Sequence, residues 1–270
     1  MAAFVHHLTY DFNNGLRDRS LLLMNYLFPL ALFAMLGALL GSIDPAFGET
    51  IIPATIIMAV MSSMLLGMPN PIVSAREAGV YRSFKINGVP AASILSIPAL
   101  SILLHMIVVS AIITVTAVPL FKAHLPVNWG YFVLVGLLTI FAMAGLGMLI
   151  GVIAPNTRAT VLISQLYFVP SMLLAGLTMP SSMLPAAMRR IAMLLPATHA
   201  MNAFQALAFR LPVDGNPISS LLVLLAGGLT AFGLAVLLFQ WDSHNLRRGR
   251  SPFLAVLAVV PYLLAAVLFR

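Results

Sequence analysis

Long apolar stretches separated by short clusters of charged residues dominate the sequence. The charge-free intervals lie between Arg19 and Asp44, Glu49 and Arg76, Lys85 and Lys122, Lys122 and Arg158, Arg158 and Arg189, Asp214 and Asp242, and Arg250 and Arg270. A helix needs about 20 mostly apolar residues to cross a bilayer, so each interval can hold one crossing. The pattern predicts six spans and a shorter seventh candidate, at 20–41, 51–68, 94–118, 131–154, 160–179, 218–240 and 252–269.

These apolar runs favour helices over a β-barrel, because barrel strands alternate apolar and polar residues and these runs are apolar on every side. The composition agrees: 61% of the residues are hydrophobic and 8% are charged, against about 45–50% and about 25% in soluble domains. The sequence therefore predicts an all-α membrane protein, a polytopic bundle of six transmembrane helices with a seventh candidate helix at the C-terminus.

Two further segments are amphipathic. Residues 1–19 carry Phe4, Leu8, Phe12 and Leu16 at every fourth position, which predicts an N-terminal amphipathic helix lying along the membrane interface. The stretch 181–210 contains prolines and polar residues between apolar ones. We interpret it as an extracellular re-entrant hairpin that does not cross the membrane.

The distribution of lysine and arginine predicts the orientation. With the N-terminus in the cytoplasm, nine basic residues fall inside, namely Arg17, Arg19, Arg76, Arg82, Lys85, Arg158, Arg247, Arg248 and Arg250. Four fall outside, namely Lys122, Arg189, Arg190 and Arg210. Cytoplasmic loops carry the excess of positive charge, so we expect a multi-pass protein of the cell (plasma or inner) membrane with a cytoplasmic N-terminus. The side on which Arg270 ends depends on whether 252–269 crosses, which the sequence leaves open.

The net charge of +7 fits loops beside anionic lipid and does not imply nucleic-acid binding. Residues that could carry catalysis within the membrane are scarce. All seven carboxylates lie at span ends or in loops, and there is no cysteine. An ATP-binding loop needs Gly-Lys followed by Ser or Thr, but the two lysines, Lys85 and Lys122, each follow a phenylalanine. We expect no catalytic residue, metal site or cofactor in this chain.

His105 is the one ionisable residue deep inside a predicted span. Such a group is a candidate intramembrane polar site. A neutral histidine hydrogen-bonded to a neighbouring helix is the favoured interpretation. Two glycine pairs with four-residue spacing, Gly37 with Gly41 and Gly147 with Gly151, permit close helix approach. We favour packing within the chain over a dimer face for both pairs.

The loop between the second and third spans breaks the apolar pattern. It reads Arg76-Glu77-Ala78-Gly79-Val80-Tyr81-Arg82-Ser83-Phe84-Lys85-Ile86-Asn87-Gly88-Val89-Pro90. Tyr81, Phe84 and Lys85 share one helical face, and such a face can pack against a soluble partner at the membrane surface. An ordinary positively charged loop explains the basic residues but not Glu77 and Gly79.

A second patterned stretch follows the fifth predicted span. Gly176 and Pro180 end the span, and Pro185 and Pro196 precede an amphipathic return toward the membrane. A loop broken by prolines is the simpler explanation of this stretch taken alone.

In this order and spacing, the two stretches resemble those of the permease subunits of type-2 ABC exporters. That family shows an arginine- or glutamate-initiated, glycine-containing segment after the second span that ends near a proline. It also shows Gly-x-x-x-Pro, a second proline, and a further proline before an amphipathic stretch. The resemblance covers residues 1–245, as one transmembrane domain. Residues 246–270, a basic loop and an extra hydrophobic helix, depart from it.

The resemblance implies a permease that pairs with a second permease, identical or paralogous, and docks two copies of an ATP-binding cassette subunit. ATP and Mg would be used by that partner, so the permease itself would not be an enzyme. The coupling loop, 69–93, would transmit the partner's closure through Arg76, Glu77, Gly79, Tyr81, Arg82, Phe84 and Lys85. The hairpin would form an outer gate, with Gly176, Pro180, Pro185 and Pro196.

The implied function is outward movement of a hydrophobic or amphipathic substrate, such as a drug or antibiotic, a lipid or a lipid-linked glycan. The absence of a carboxylate at depth favours an apolar molecule over a cation. The alternative is an ion-coupled secondary transporter that uses His105, and transport driven by an ion gradient alone would identify it. A third interpretation is a multi-pass membrane enzyme or assembly protein, against which the scarcity of reactive groups argues.

Overall fold

The computed structural model describes residues 2–43, 47–213, 215–241 and 251–268, and within them it is helical with no β-strand. The α-helices are α1 (Ala2–Arg17), α2 (Arg19–Leu22), α3 (Phe28–Ile43), α4 (Phe47–Met61), α5 (Pro69–Glu77), α6 (Val80–Ile86), α7 (Ala91–Phe121), α8 (Trp129–Ile153), α9 (Thr157–Leu174), α10 (Ala186–Ala192), α11 (Pro196–Ala203), α12 (Pro217–Leu238) and α13 (Val260–Leu268). Wider π-helical turns occupy Leu23–Leu27, Ser62–Gly67 and Phe204–Ala208, and tighter 3₁₀ turns occupy Ser181–Met183 and Pro252–Val259.

Among the described residues, five helices are long and apolar enough to cross a membrane. They are Arg19–Leu39, Gly48–Glu77, Ala91–Phe121, Trp129–Ile153 and Pro217–Leu238. Each contains most or all of a predicted span, which confirms those five as apolar helices of sufficient length. The predicted span 160–179 corresponds to the 18-residue helix α9, which is not among the five. Arg158 and Gln165 make α9 more polar, and its crossing stays a prediction.

The second helix is much longer than the predicted span 51–68, because it continues through two prolines to Glu77. Proline lacks an N–H, and its ring collides with the carbonyl four residues earlier in a regular α-helix. The π-helical turn before Pro69 widens the backbone at this point, and the Met68 N–H donates to the Ser63 carbonyl at 3.0 Å. Local widening is a known way to keep a helix continuous past such a defect.

This second helix, Gly48–Glu77, is the central helix of the bundle and is almost wholly buried. It packs against α8 where small residues allow the backbones to meet. A Cβ atom built on Gly147 would lie 2.0 Å from the Met64 carbonyl oxygen, and one on Gly151 would lie 3.0 Å from the Ile72 Cβ. The Gly147–Gly151 pair is therefore a packing surface within the chain, as favoured from the sequence. Gly37 similarly faces Phe121, whereas Gly41 faces open space.

A second close contact joins α8 to α12. A Cβ atom on Gly145 would lie 2.9 Å from the Gly228 carbonyl oxygen. Without water to drive association in a bilayer, close van der Waals contact through small residues is a main source of helix–helix stability. The central helix, α8 and α12 therefore form one tightly packed group.

The C-terminal hydrophobic segment, Pro252–Leu268, packs against α12. Tyr262 is buried, and its hydroxyl lies where a Cβ atom of Gly227 would be. Ala258 and Ala265 are buried on the same segment. The extra helix predicted for 246–270 is thus present as an apolar segment packed on the bundle. The basic loop predicted to precede it lies outside the described residues, as do Asp44 and Asp214.

Candidate functional site

The coupling loop is folded into two short helices in the structure. Its first part is α5, the end of the central helix, and its second part is α6. Gly79 lies between them with φ 72°, and Gly88 ends the loop with φ 70°. Only glycine adopts this left-handed backbone readily. The structure thus assigns Gly79 a local role: it allows the chain to turn sharply between α5 and α6.

Arg76 is buried, with 2% of its surface exposed. Its Nη1 donates to the Val152 carbonyl at 2.6 Å and to the Gly151 carbonyl at 3.4 Å, and its Nη2 donates to the Ala154 carbonyl. These carbonyls lie at the C-terminal end of α8, where the last carbonyl groups lack helical partners and carry partial negative charge. Arg76 therefore joins the central helix to the end of α8.

Tyr81 is also turned into the protein. It is 5% exposed, and its ring lies 5.2 Å from that of Phe239, just after α12, and 6.5 Å from that of Phe84. Burial raises the pKa of Tyr81 to about 12, and the positive charge of Arg76 opposes part of this shift. The face predicted to meet a partner is therefore divided, with Tyr81 and the half-buried Phe84 inward and Lys85 exposed.

The surface of the coupling loop carries the remaining predicted residues. Glu77, Arg82 and Lys85 are exposed. At the end of α6, Ile86 is 86% exposed, which sequence reasoning missed. Its position next to Lys85, at the end of a short helix before glycine, is the signal that could have identified it. The loop thus presents charged groups and one protruding apolar side chain.

His105 lies at the contact between α1, the first span and α7. The Tyr26 hydroxyl lies 2.7 Å from its Nδ1, and the Phe12 ring stacks on it at 4.4 Å. On the other side, a Cβ atom of Gly15 would lie 2.5 Å from its Nε2. The hydrogen bond to a neighbouring helix that the sequence favoured is present. The predicted interface helix α1 is indeed helical and packs against α7.

The hairpin region contains the 3₁₀ turn at Ser181–Met183 followed by α10 and α11. Gly176 has φ 77°, Pro185 precedes α10, and Pro196 is the first residue of α11. Pro180 and Pro185 are exposed, whereas Pro196 and most of α11 are buried against neighbouring helices. Gly176 and Pro180 line a common pocket, whereas Pro185 and Pro196 lie at the starts of α10 and α11.

Two contacts place the hairpin at one end of the bundle. The Val127 N–H, after α7, donates to the Ala208 carbonyl at 2.8 Å, and the His124 N–H donates to the Gly48 carbonyl at 3.3 Å. The hairpin region therefore lies beside the loop between α7 and α8, and that loop in turn contacts the start of the central helix. The coupling loop, near the other end of that central helix, lies at the opposite end of the bundle.

A groove of about 500 Å³ runs between the start of the first span, the end of the central helix and the start of α9. Its polar lining consists of Asn14, Asp18, Ser20, Asn70, Ser74, Thr160, Ser164 and Gln165. The Thr160 hydroxyl donates to the Asn70 side-chain oxygen, across two of these helices. Hydroxyl and amide groups both donate and accept hydrogen bonds, so the groove can bind a hydroxyl-bearing molecule. Sequence reasoning missed it, although polar residues at span ends are its signal.

Among the described residues, no group of three or more histidine, cysteine or acidic side chains is arranged to hold a metal ion. In comparisons with known proteins, the family model of the ABC-2 type transporter matches residues 3–209. A search of curated proteins and a search of solved structures each found no significant match. The matched region contains the coupling loop, the groove and nearly all of α1 and of the hairpin region.

Proposed function

Because this chain belongs to the ABC-2 type transporter family, a family of multi-pass membrane permeases, we propose that it is the permease subunit of an ATP-driven exporter. A separate ATP-binding cassette subunit, present in two copies, would supply the energy. The permease would pair with a second permease, identical or paralogous, in the cell (plasma or inner) membrane, with its N-terminus in the cytoplasm.

The coupling loop is the observation that carries this proposal. Its exposed side presents Glu77, Arg82, Lys85 and Ile86, which suits a contact with a soluble protein. Its inward side is joined to α8 through Arg76 and to the end of α12 through Tyr81. A segment that is exposed on one side and joined to two long helices on the other can transmit a partner's movement to the bundle.

The groove supports a cargo that is at least partly hydroxylated. Polar groups and apolar side chains such as Met24 and Leu66 both line it. A molecule with a polar head and an apolar body suits such a mixed lining. A drug or antibiotic, a lipid or a lipid-linked glycan has this character, and we propose outward transport of such a molecule.

The exposed apolar surface of α9 is consistent with contact with a second permease or with surrounding lipid. Leu162 on α9 is 73% exposed and Leu166 is 69% exposed, one turn apart on the same face. Such apolar faces are stable only against lipid or another helix. The hairpin, at the end of the bundle opposite the coupling loop, is proposed to form the outer gate.

The test is transport in proteoliposomes that contain the permease and its ATP-binding subunit. The expected result is cargo movement and cargo-stimulated ATPase activity that both require ATP. Replacing Glu77 and Arg82 by alanine should reduce the stimulation, and Arg158→Ala, at an exposed arginine at the start of α9, is the control. Unchanged stimulation in the double variant contradicts the coupling role. Transport driven by an ion gradient without ATP or partner contradicts the proposal as a whole.

A further inference from the structure

A second cavity, of about 220 Å³, lies where α1 meets the coupling loop. It is bounded by α1, the start of the first span, α5, α6 and the first half of α7. Pockets for drug-sized ligands measure about 300–1,000 Å³, so this cavity suits a smaller molecule. It adjoins the groove, with which it shares the lining residues Asn14, Leu21, Gly67 and Pro71, whereas the rest of the groove lies toward α9.

The polar lining of the cavity carries one carboxylate, that of Asp11, and no lysine or arginine among the described residues. Asn14, Ser101 and His105 add groups that can donate or accept hydrogen bonds. Asn25 also lines it and is 1% exposed, and its Oδ1 has no hydrogen-bond partner in the part of the chain that the structure describes. A buried acceptor without a donor is unfavourable, so a ligand that carries a donor would relieve it.

The rest of the cavity is apolar and aromatic. Ile72, Pro98 and Ile102 form apolar walls, and Tyr81 and Phe84 contribute aromatic rings from α6. Aromatic faces attract cations when the cation lies close to the ring. His105 also lines the cavity, with its Nδ1 2.7 Å from the Tyr26 hydroxyl. Asp11 carries the one formal charge among the described lining residues, and together with the unpaired acceptor and the two aromatic rings it favours a positively charged ligand.

We propose that this cavity is a binding site for a small cationic amphiphile, a protonated amine on an apolar body. The amine would be held by Asp11 and Asn25, and the apolar body would contact the walls formed by α5 and α7. The sequence argued against cationic ligands because no carboxylate lies within a span. The structure changes that argument, because α1 brings Asp11 to the cavity from outside the spans.

Occupancy would affect coupling, a consequence that rests on the proposed function. The cavity is lined both by α1 and by Tyr81 and Phe84 of the coupling loop. A bound molecule would therefore contact both elements and limit their relative movement. An amine bound in the cavity would change the ATPase activity of the complex through its contacts with α1 and α6.

Binding is tested on the full chain alone, in nanodiscs of zwitterionic lipid, by equilibrium dialysis with naphthylethylamine and its neutral N-acetyl analogue. Empty nanodiscs give the lipid partitioning to subtract. The amine should bind about ten-fold or more tightly than the analogue, since a hydrogen bond to a charged group is worth at least that factor. Asp11→Asn should remove most of the difference.

Asp18→Asn is the matched control. It makes the same charge change on a residue that lines the groove and not this cavity, and asparagine keeps the oxygen that accepts from the Ser20 and Leu21 N–H groups. Ala75→Phe, which fills the cavity, should weaken binding of both probes. Equal binding of amine and analogue, or amine binding unchanged by Asp11→Asn and Ala75→Phe, overturns the proposal. Because no ATP-binding subunit is present, neither result depends on whether the chain is an exporter subunit.

Discussion

Replacing Arg76 by methionine tests the link between the central helix and α8. Methionine retains an unbranched apolar chain but removes the guanidinium group, which donates to three carbonyls at the end of α8. Arg76 is 2% exposed, so water cannot replace those donors without opening the structure. We expect the substitution to destabilise the folded chain.

The magnitude follows from the contacts. A hydrogen bond to a charged group contributes about 1.5–3 kcal/mol, so the two shorter contacts, to Val152 and Ala154, contribute about 3–6 kcal/mol. Removing the charge also removes the cost of burying it, which is of the order of several kcal/mol for a buried ion. Part of this gain is offset because the buried carbonyls lose their donors, at about 1–3 kcal/mol each. We therefore expect a net loss of about 2–4 kcal/mol, which corresponds to a fall of about 5–15 °C in the melting temperature.

The assay is thermal unfolding of the purified chain in detergent, followed by size-exclusion chromatography with fluorescence detection. Arg158→Met is the matched control, because Arg158 is exposed at the start of α9 and should change the melting temperature by little. Arg76→Lys should recover only part of the loss, since one ammonium group cannot reproduce the fork of donors of a guanidinium. Equal melting temperatures for Arg76→Met and Arg158→Met would refute the reasoning.

Three further predictions concern helix contacts and the exposed end of the loop. Gly147→Ala places a methyl group against a backbone carbonyl of the central helix and should lower the melting temperature by about 5 °C or more. Gly41→Ala, in open space, should not lower it. Equal effects of the two substitutions contradict the close packing. Tyr26→Phe and His105→Phe should show a coupling of about 0.6–1.7 kcal/mol in a double-mutant cycle of unfolding, and strict additivity contradicts their hydrogen bond. Ile86→Glu should reduce co-purification of the ATP-binding subunit without changing the melting temperature, and unchanged co-purification contradicts a docking role.

Five of the predicted spans are present as long apolar helices, and they could be predicted because charge-free length is a property of the sequence alone. The extent of the central helix could not, because Pro69 and Pro71 normally indicate a helix end. Their effect is absorbed by the π-helical turn at Ser62–Gly67, a backbone adjustment that depends on packing against neighbouring helices. The sequence also could not show the surroundings of α9. Its polar residues line a groove that forms only once the helices are assembled.

The coupling loop, likewise, could be predicted from the sequence only in part. Its position and the exposure of Glu77, Arg82 and Lys85 follow from the sequence pattern. The inward orientation of Arg76 does not, because a basic residue in a predicted cytoplasmic loop is expected in water. Its burial depends on the end of α8, about 75 residues later in the chain, presenting carbonyl groups at the right place. Non-local pairing of this kind leaves no periodic signal in the sequence.

The contacts of the coupling loop also indicate which helices would move with it. Arg76 joins the loop to α8, and Tyr81 joins it to the end of α12. The central helix, α8 and α12 are in turn packed through glycines that leave no room for side chains. Close-packed interfaces of this kind shift as units and do not deform continuously. A force applied to α6 would therefore displace these three helices together.

The first span and α7, linked to each other through Tyr26 and His105, form the other side of the cavity beneath α1. We expect relative movement to be greatest along that cavity, between the group fixed to the loop and the group fixed to His105. Site-directed spin labels on α1 and α6 would detect it as an ATP-dependent change in distance, and an unchanged distance would exclude this division.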